Sequence, residues 1–186
     1  MNSPGKDPCE LAEVVYEKPL SGVFEEKLFG SDRGNTLWVK FSDKLGINEW
    51  IGKFGTGVNG PTRVEKADDP DKFFICAGGF GYLVEATHRK LLAHHCDEFS
   101  NDIAYDLKTN RFIVADFSRL RVIESGQMIW ASERIALDGI SGFKVEGRLI
   151  KGMAVTGFEG KESSFTFNLD SFEIRFDRFK DRWKLW

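Results

Sequence analysis

Cysteine, proline and methionine are scarce in this chain, and no apolar run is long. The three cysteines, Cys9, Cys76 and Cys96, are an odd number without C-x-x-C spacing. That excludes a fully paired disulfide framework and a four-cysteine zinc site. Charged residues interrupt every apolar stretch every few positions, so no segment reads as a membrane-spanning helix, and Met1 to Leu11 has no apolar signal-peptide core. The expected compartment is the cytoplasm, with no membrane attachment. A net charge of -3 and a pI near 5.7 lack the basic surface that neutralises phosphates, which argues against nucleic acid as a partner. There is no Gly-rich loop ending in Gly-Lys-Ser/Thr, no His-Glu-x-x-His and no Gly-x-Ser-x-Gly elbow. Phosphate-transfer and common hydrolase chemistries are without a motif, and no cofactor is expected.

What the chain has in quantity is aromatic side chains, with 17 Phe and 5 Trp among 186 residues, beside 30% charged residues. This is the composition of a globular protein with a large core. Residues 1–19 mix Pro, Gly, Lys and Asp with few large apolar groups and read as a flexible tail, leaving 20–186 as a single all-β domain. From Thr36 onward, short runs of Val, Ile, Phe, Leu and Trp alternate with Gly, Asp, Asn and Ser clusters at the spacing of antiparallel strands. Thr36 to Phe41 and Ile47 to Phe54 form a hairpin around Asp43 to Gly46, and residues 55–71, with Asp68 and Asp69, read as a long surface loop. Cys76, inside Phe73-Phe74-Ile75-Cys76-Ala77, reads as a small core residue.

An internal repeat appears when residues 73–92 are set on 111–130 at an offset of 38. Phe74, Ile75, Cys76 and Ala77 fall on Phe112, Ile113, Val114 and Ala115; Tyr82 and Val84 fall on Leu120 and Val122; Leu91 and Leu92 fall on Ile129 and Trp130. Each copy is strand, turn, strand, turn, strand. Glu146-Gly147 supplies a turn, Met153 to Thr156 pairs with Phe165 to Leu169, and Phe172, Ile174 and Phe176 alternate as a last strand. Phe176, Phe179, Trp183 and Trp186 then recur at helical spacing and predict a short C-terminal helix. The predicted fold is an all-β antiparallel meander of repeated hairpins.

This 38-residue unit, an apolar strand, a tight turn such as Gly78-Gly79-Phe80-Gly81, and a second apolar strand before a run ending in Leu91-Leu92 or Ile129-Trp130, resembles the blades of β-propellers. The resemblance is architectural. It covers two clear copies and two blurred ones around 36–54 and 148–170, and it implies a small propeller-like arrangement, with a β-sandwich or open barrel as the other closures of the same meander.

Two groups of residues are candidates for function. His88, His94, Cys96 and Asp102 are ligand-capable groups close in sequence, although alternate strand residues face opposite sides, so a metal site has to recruit partners across a hairpin. Gly55-Thr-Gly57-Val-Asn-Gly60 has the spacing of a dinucleotide fingerprint, but no helix follows it, and it reads as a loop. For partner binding, the aromatics and acids Trp50, Asp68, Asp69, Phe80, Tyr82, Trp183 and Trp186 are the candidates. The expected function is a non-enzymatic binding or structural protein that presents a rigid β surface to a protein partner, similar in its small acidic character to toxin-neutralising immunity proteins. A metal-dependent or small-molecule enzyme using the segment from His88 to Asp102 is the alternative.

Overall fold

In Thr36–Ser42 every second side chain, Leu37, Val39 and Phe41, is buried while its neighbours are half-exposed. That period of two is what a one-sided strand requires, and it recurs through the chain. The computed structural model describes residues 9–20, 22–30, 34–67, 71–97 and 99–177. They form four four-stranded sheets. The first contains β1 (Leu11–Val15), β2 (Glu25–Phe29), β3 (Thr36–Ser42) and β4 (Trp50–Gly55) in the order β1-β3-β4-β2, with β2 parallel to β4 and the other pairs antiparallel. The second is the antiparallel meander β5 (Thr62–Lys66), β6 (Lys72–Ala77), β7 (Phe80–Glu85) and β8 (Lys90–His95). The third runs β9 (Asp102–Asp106), β10 (Arg111–Ala115), β11 (Leu120–Glu124) and β12 (Gln127–Ala131), and the fourth β13 (Ile140–Glu146), β14 (Leu149–Val155), β15 (Glu162–Asn168) and β16 (Ile174–Phe176). No helix among the described residues is long and apolar enough to cross a membrane.

The repeat is structural. Phe74 to Ala77 lie in β6 and Phe112 to Ala115 in β10, each the second strand of its sheet. The third strands are out of step with the constant offset: Ile75 faces Tyr82, whereas Ile113 faces Val122, not Leu120. The cause is the turn, which is Gly78-Gly79 in one sheet and Asp116 to Arg119 in the other. Because the shift is two residues, each side chain keeps its face, and both Tyr82 and Val122 are buried. Each sheet also has a bulge between its third and fourth strands, at Leu83/Val84 and at Val122/Ile123.

The chain divides into two compact units, Met1–Glu98 and Phe99–Trp186. Each has its own aromatic layer. In the first unit Phe41 stacks on Trp50 at 4.4 Å, meets Phe73 edge-on at 5.5 Å, and Phe54 packs on Tyr82 at 5.2 Å. In the second, Trp130 stacks on Phe167 at 5.4 Å and Phe143 meets Phe165 edge-on at 6.4 Å. Such pairs add about 0.5–1.5 kcal/mol each beyond the area they bury.

Three expectations change. Leu11–Val15, assigned to the tail, is a strand held by β3, and Lys66 Nζ donates to Glu10 O at 2.9 Å. The long loop from 55 to 71 contains β5, which pairs with β6. The C-terminal helical stripe lies outside the described residues except for Phe176 and Asp177, and Phe176 ends a strand instead.

Candidate functional site

Edge strands are where a sheet can accept another chain, because one row of their backbone groups has no strand partner. Four sheets give eight edges, and seven of those strands carry at least one ionisable side chain. β12 alone carries none: its sequence is Gln127-Met128-Ile129-Trp130-Ala131. It is bonded to β11 on one side and to no other strand among the described residues. Ser125-Gly126, both with positive φ, turn the chain into it. At the bulge the register steps from Val122 opposite Trp130 to Ile123 opposite Met128, leaving Ile129 without an opposite residue. A bulge breaks the alternation of faces, and Met128 and Ile129 are both exposed, at 62% and 43%. Trp130 turns inward between Phe167 and Phe172 and fastens the strand to its core. The result is a largely apolar, uncharged edge fastened to its core by Trp130.

The sheet behind it is fixed by buried charge. Asp116 accepts from Ser118 N, from Arg119 N and from the Arg121 guanidinium, which closes the turn into β11. Burial opposes its charge, but these donors outweigh burial and hold its carboxyl below the ordinary range. Asp102 sends Oδ1 to Ile103 N–H and Oδ2 to Phe143 N–H, at 2.8 and 2.9 Å. It therefore ties β9 to β13.

The proposed metal ligands are not brought together as a set. His94 and Cys96 are exposed along and just past β8, and His95 is half-buried between them. The Cys96 thiol lies 3.5 Å from the Tyr82 hydroxyl, and burial pushes its ionisation up. Asp102 belongs to the other unit, with both oxygens bonded to backbone there. His88 finds different company. Its Nδ1 is 3.5 Å from Glu85 Oε2, and ligand atoms of Asp71, Glu85 and His88 all lie within 4.8 Å of one another.

Among the partner candidates, Trp50 and Tyr82 are core side chains, 2% and 0% exposed, and offer no surface. The Tyr82 hydroxyl donates to Gly55 O at 2.9 Å, and burial pushes its ionisation up. Phe80 is half-buried against Gly57. Asp68, Asp69, Trp183 and Trp186 lie outside the described residues. The Gly55 to Gly60 segment has a structural purpose: Gly57 N–H donates to Ala77 O and Gly60 N–H to Gly78 O, and a Cβ on Gly60 would sit 2.2 Å from Gly79 Cα. Those glycines allow two backbones to touch.

A recess of about 190 Å³ in the first unit is lined by Cys9, Trp50, Thr87, Arg89, Glu25 and Glu49 among others. Its charges are internally matched, Arg89 with Glu25 and Lys40 with Glu49 at 2.6 Å. Burial pushes the Cys9 thiol up, opposed by the Trp50 indole and Thr87.

Sequence reasoning passed over Met128 as a surface residue and used Ile129 only as an apolar match. The available signal was the missing charge between the Ser125-Gly126 turn and Glu133. Asp71 and Glu85 carried no such signal, because their meeting depends on the pairing of β6 with β7.

No family model and no curated protein matches the chain. Among solved structures it is similar to hydrazine synthase of Kuenenia stuttgartiensis, with 13% identity, a TM-score of 0.47, and coverage of 87% of this chain and 52% of that one. It is also similar to the Neurospora crassa Pan2 WD40 domain, with 6% identity, a TM-score of 0.46, and coverage of 78% and 48%. The extracellular domain of a one component system from B. thetaiotaomicron gives 9% identity, a TM-score of 0.45, and coverage of 81% and 23%. The chain spans about half the length of the first two and about a quarter of the third.

Proposed function

We propose that this chain is a non-enzymatic protein-binding module whose blade-like sheets form a rigid support, and that it takes an extended segment of a partner protein along β12. The observation that carries the reading is the one edge strand among the described residues without an ionisable side chain, with Met128 and Ile129 exposed on it and Trp130 anchored behind. Strand addition draws affinity from backbone hydrogen bonds and specificity from alternate side chains. An added strand with apolar residues against Met128 and Ile129 meets both requirements. Natural sheets blunt exposed edges with charge, as the other seven edges here do, so an edge left uncharged is best accounted for by use. Three free cysteines, two of them buried, fit a reducing compartment such as the cytoplasm.

A photo-crosslinking residue at position 128 tests this in the source cell. The reading expects one dominant protein adduct, abolished by Ile129→Lys in protein that still folds by circular dichroism. Adducts unaffected by Ile129→Lys would contradict it.

A further inference from the structure

The β7–β8 connection is longer than its counterpart in the repeated sheet. Glu85 and Lys90 close a four-residue turn, Ala86 to Arg89, where Glu124 and Gln127 close the two-residue turn Ser125-Gly126. The longer turn carries Thr87 and His88, and it folds back on the start of β6: Ala86 N–H donates to Asp71 O at 2.8 Å. Thr87 then holds the Asp71 side chain, its N–H and hydroxyl both donating to Oδ1, at 2.8 and 2.5 Å. Thr87 Oγ1 in turn accepts from Cys9 N–H at 2.9 Å. A polar relay thus orients one carboxylate, and His88 stands over Glu85 beside it.

We propose that Asp71, Glu85 and His88 bind a divalent transition-metal ion, with zinc as the best-fitting member of the class. The donor set is one imidazole nitrogen and two carboxylates. Calcium and magnesium take oxygen ligands, whereas imidazole with carboxylates suits zinc and its first-row neighbours. Zinc bonds of 2.0–2.2 Å in a tetrahedron set ligand atoms about 3.3–3.6 Å apart. His88 Nδ1 and Glu85 Oε2 are already at 3.5 Å, and Asp71 lies within 4.8 Å of both. Thr87 supplies the outer hydrogen bonds that metal-binding carboxylates use to keep their direction. Since His88 is 73% exposed, the fourth position faces solvent. The ion clips the turn to Asp71, the residue that precedes β6. This inference is independent of the β12 reading, which concerns the other unit.

The test is titration of the EDTA-stripped full chain with Zn²⁺ alone, and with Co²⁺ to follow visible absorption. The expected result is one ion per chain, a ligand-field band with Co²⁺, and affinity weakened more than about tenfold by His88→Ala or Asp71→Asn, beyond the low end of what outer-sphere changes cost. His94→Ala and Cys96→Ser should leave affinity unchanged. His88 is a surface residue whose replacement leaves folding intact. The proposal is overturned if no saturable binding occurs, if His88→Ala binds as the unmodified chain does, or if the loss follows His94 or Cys96 instead.

Discussion

Asp106 is only 5% exposed, and a carboxylate so placed needs donors to remain charged. Burial opposes its ionisation, but Arg148, Thr109 and Lys108 N–H outweigh burial and hold its carboxyl below the usual range. Arg148 grips Asp106 with two bonds, at 2.6 and 2.9 Å, and reaches Asp170 at 2.9 Å. Arg148→Met should cost about 2–3 kcal/mol in urea unfolding, less than a fully buried pair because the arginine is partly in water. The sign of the pH effect follows. With its folded pKa depressed, Asp106 contributes stability in full above the unfolded carboxylate value of about 3.9, and loses it as pH falls through the folded value. Asp116 behaves likewise. The urea midpoint should therefore fall on acidification below about pH 4, more gently in Arg148→Met than in the unmodified chain. An identical acid slope in both would remove Arg148 from the account. Residue roles of this kind were hard to read in sequence. Cys76 was legible from its apolar neighbours, and it is fully buried. Trp50 and Tyr82 were not, since Trp50 is flanked by Glu49 and Lys53 and Tyr82 follows the Gly78-Gly79 turn, and either context suits core or surface until the register is known.

At the scale of elements, turns decide most of what happens. Asp43 closes the β3–β4 connection by accepting from the N–H groups of Leu45, Ile47 and Asn48, and the last strand follows its predicted alternation. These were local patterns and so were visible. β2 was not, because it lies parallel to β4 rather than beside a chain neighbour. β5 was hidden by its polar sequence, Thr62-Arg-Val-Glu-Lys66. The glycine fingerprint at 55–60 misleads for a related reason: its spacing serves contact with the Gly78-Gly79 turn, a partner that no local window contains. Gly60→Ala should destabilise the chain by about 1–3 kcal/mol or more, since backbone at 2.2 Å cannot yield as a side chain can. Gly126→Ala, with open space around its Cβ and positive φ, should cost about 1 kcal/mol through backbone strain alone, at the low end of the left-handed penalty. Thermal melts of the two variants check the order.

For the molecule as a whole, the offset of 38 residues picks out the equivalent second strands, and a two-residue change in turn length keeps the facing of the third strands. The fourth strands depart from it: Leu92 is exposed where Trp130 turns inward, and Ile129 is exposed where Leu91 is half-buried. The division into two units was not legible. Both aromatic layers draw on residues from two sheets each, and composition alone does not say which sheets share a layer. The proposed binding edge was half legible: Ile129 and Trp130 stood out as apolar matches in the repeat, but Met128 did not, and exposure depends on the bulge at Val122/Ile123. Ile129→Lys should change stability by no more than about 0.5 kcal/mol, as surface replacements do, while removing binding. Unequal melting of that variant would point to a structural strand instead.

The central claim, capture of an extended chain along β12, is tested most directly by selecting peptides from a random display library and mapping hydrogen exchange on the bound protein. The account predicts extended peptides with apolar residues at alternate positions, and new protection of the β12 amides at 127–131. Tight-binding peptides that protect other segments and leave β12 exchanging as in the free chain would contradict it.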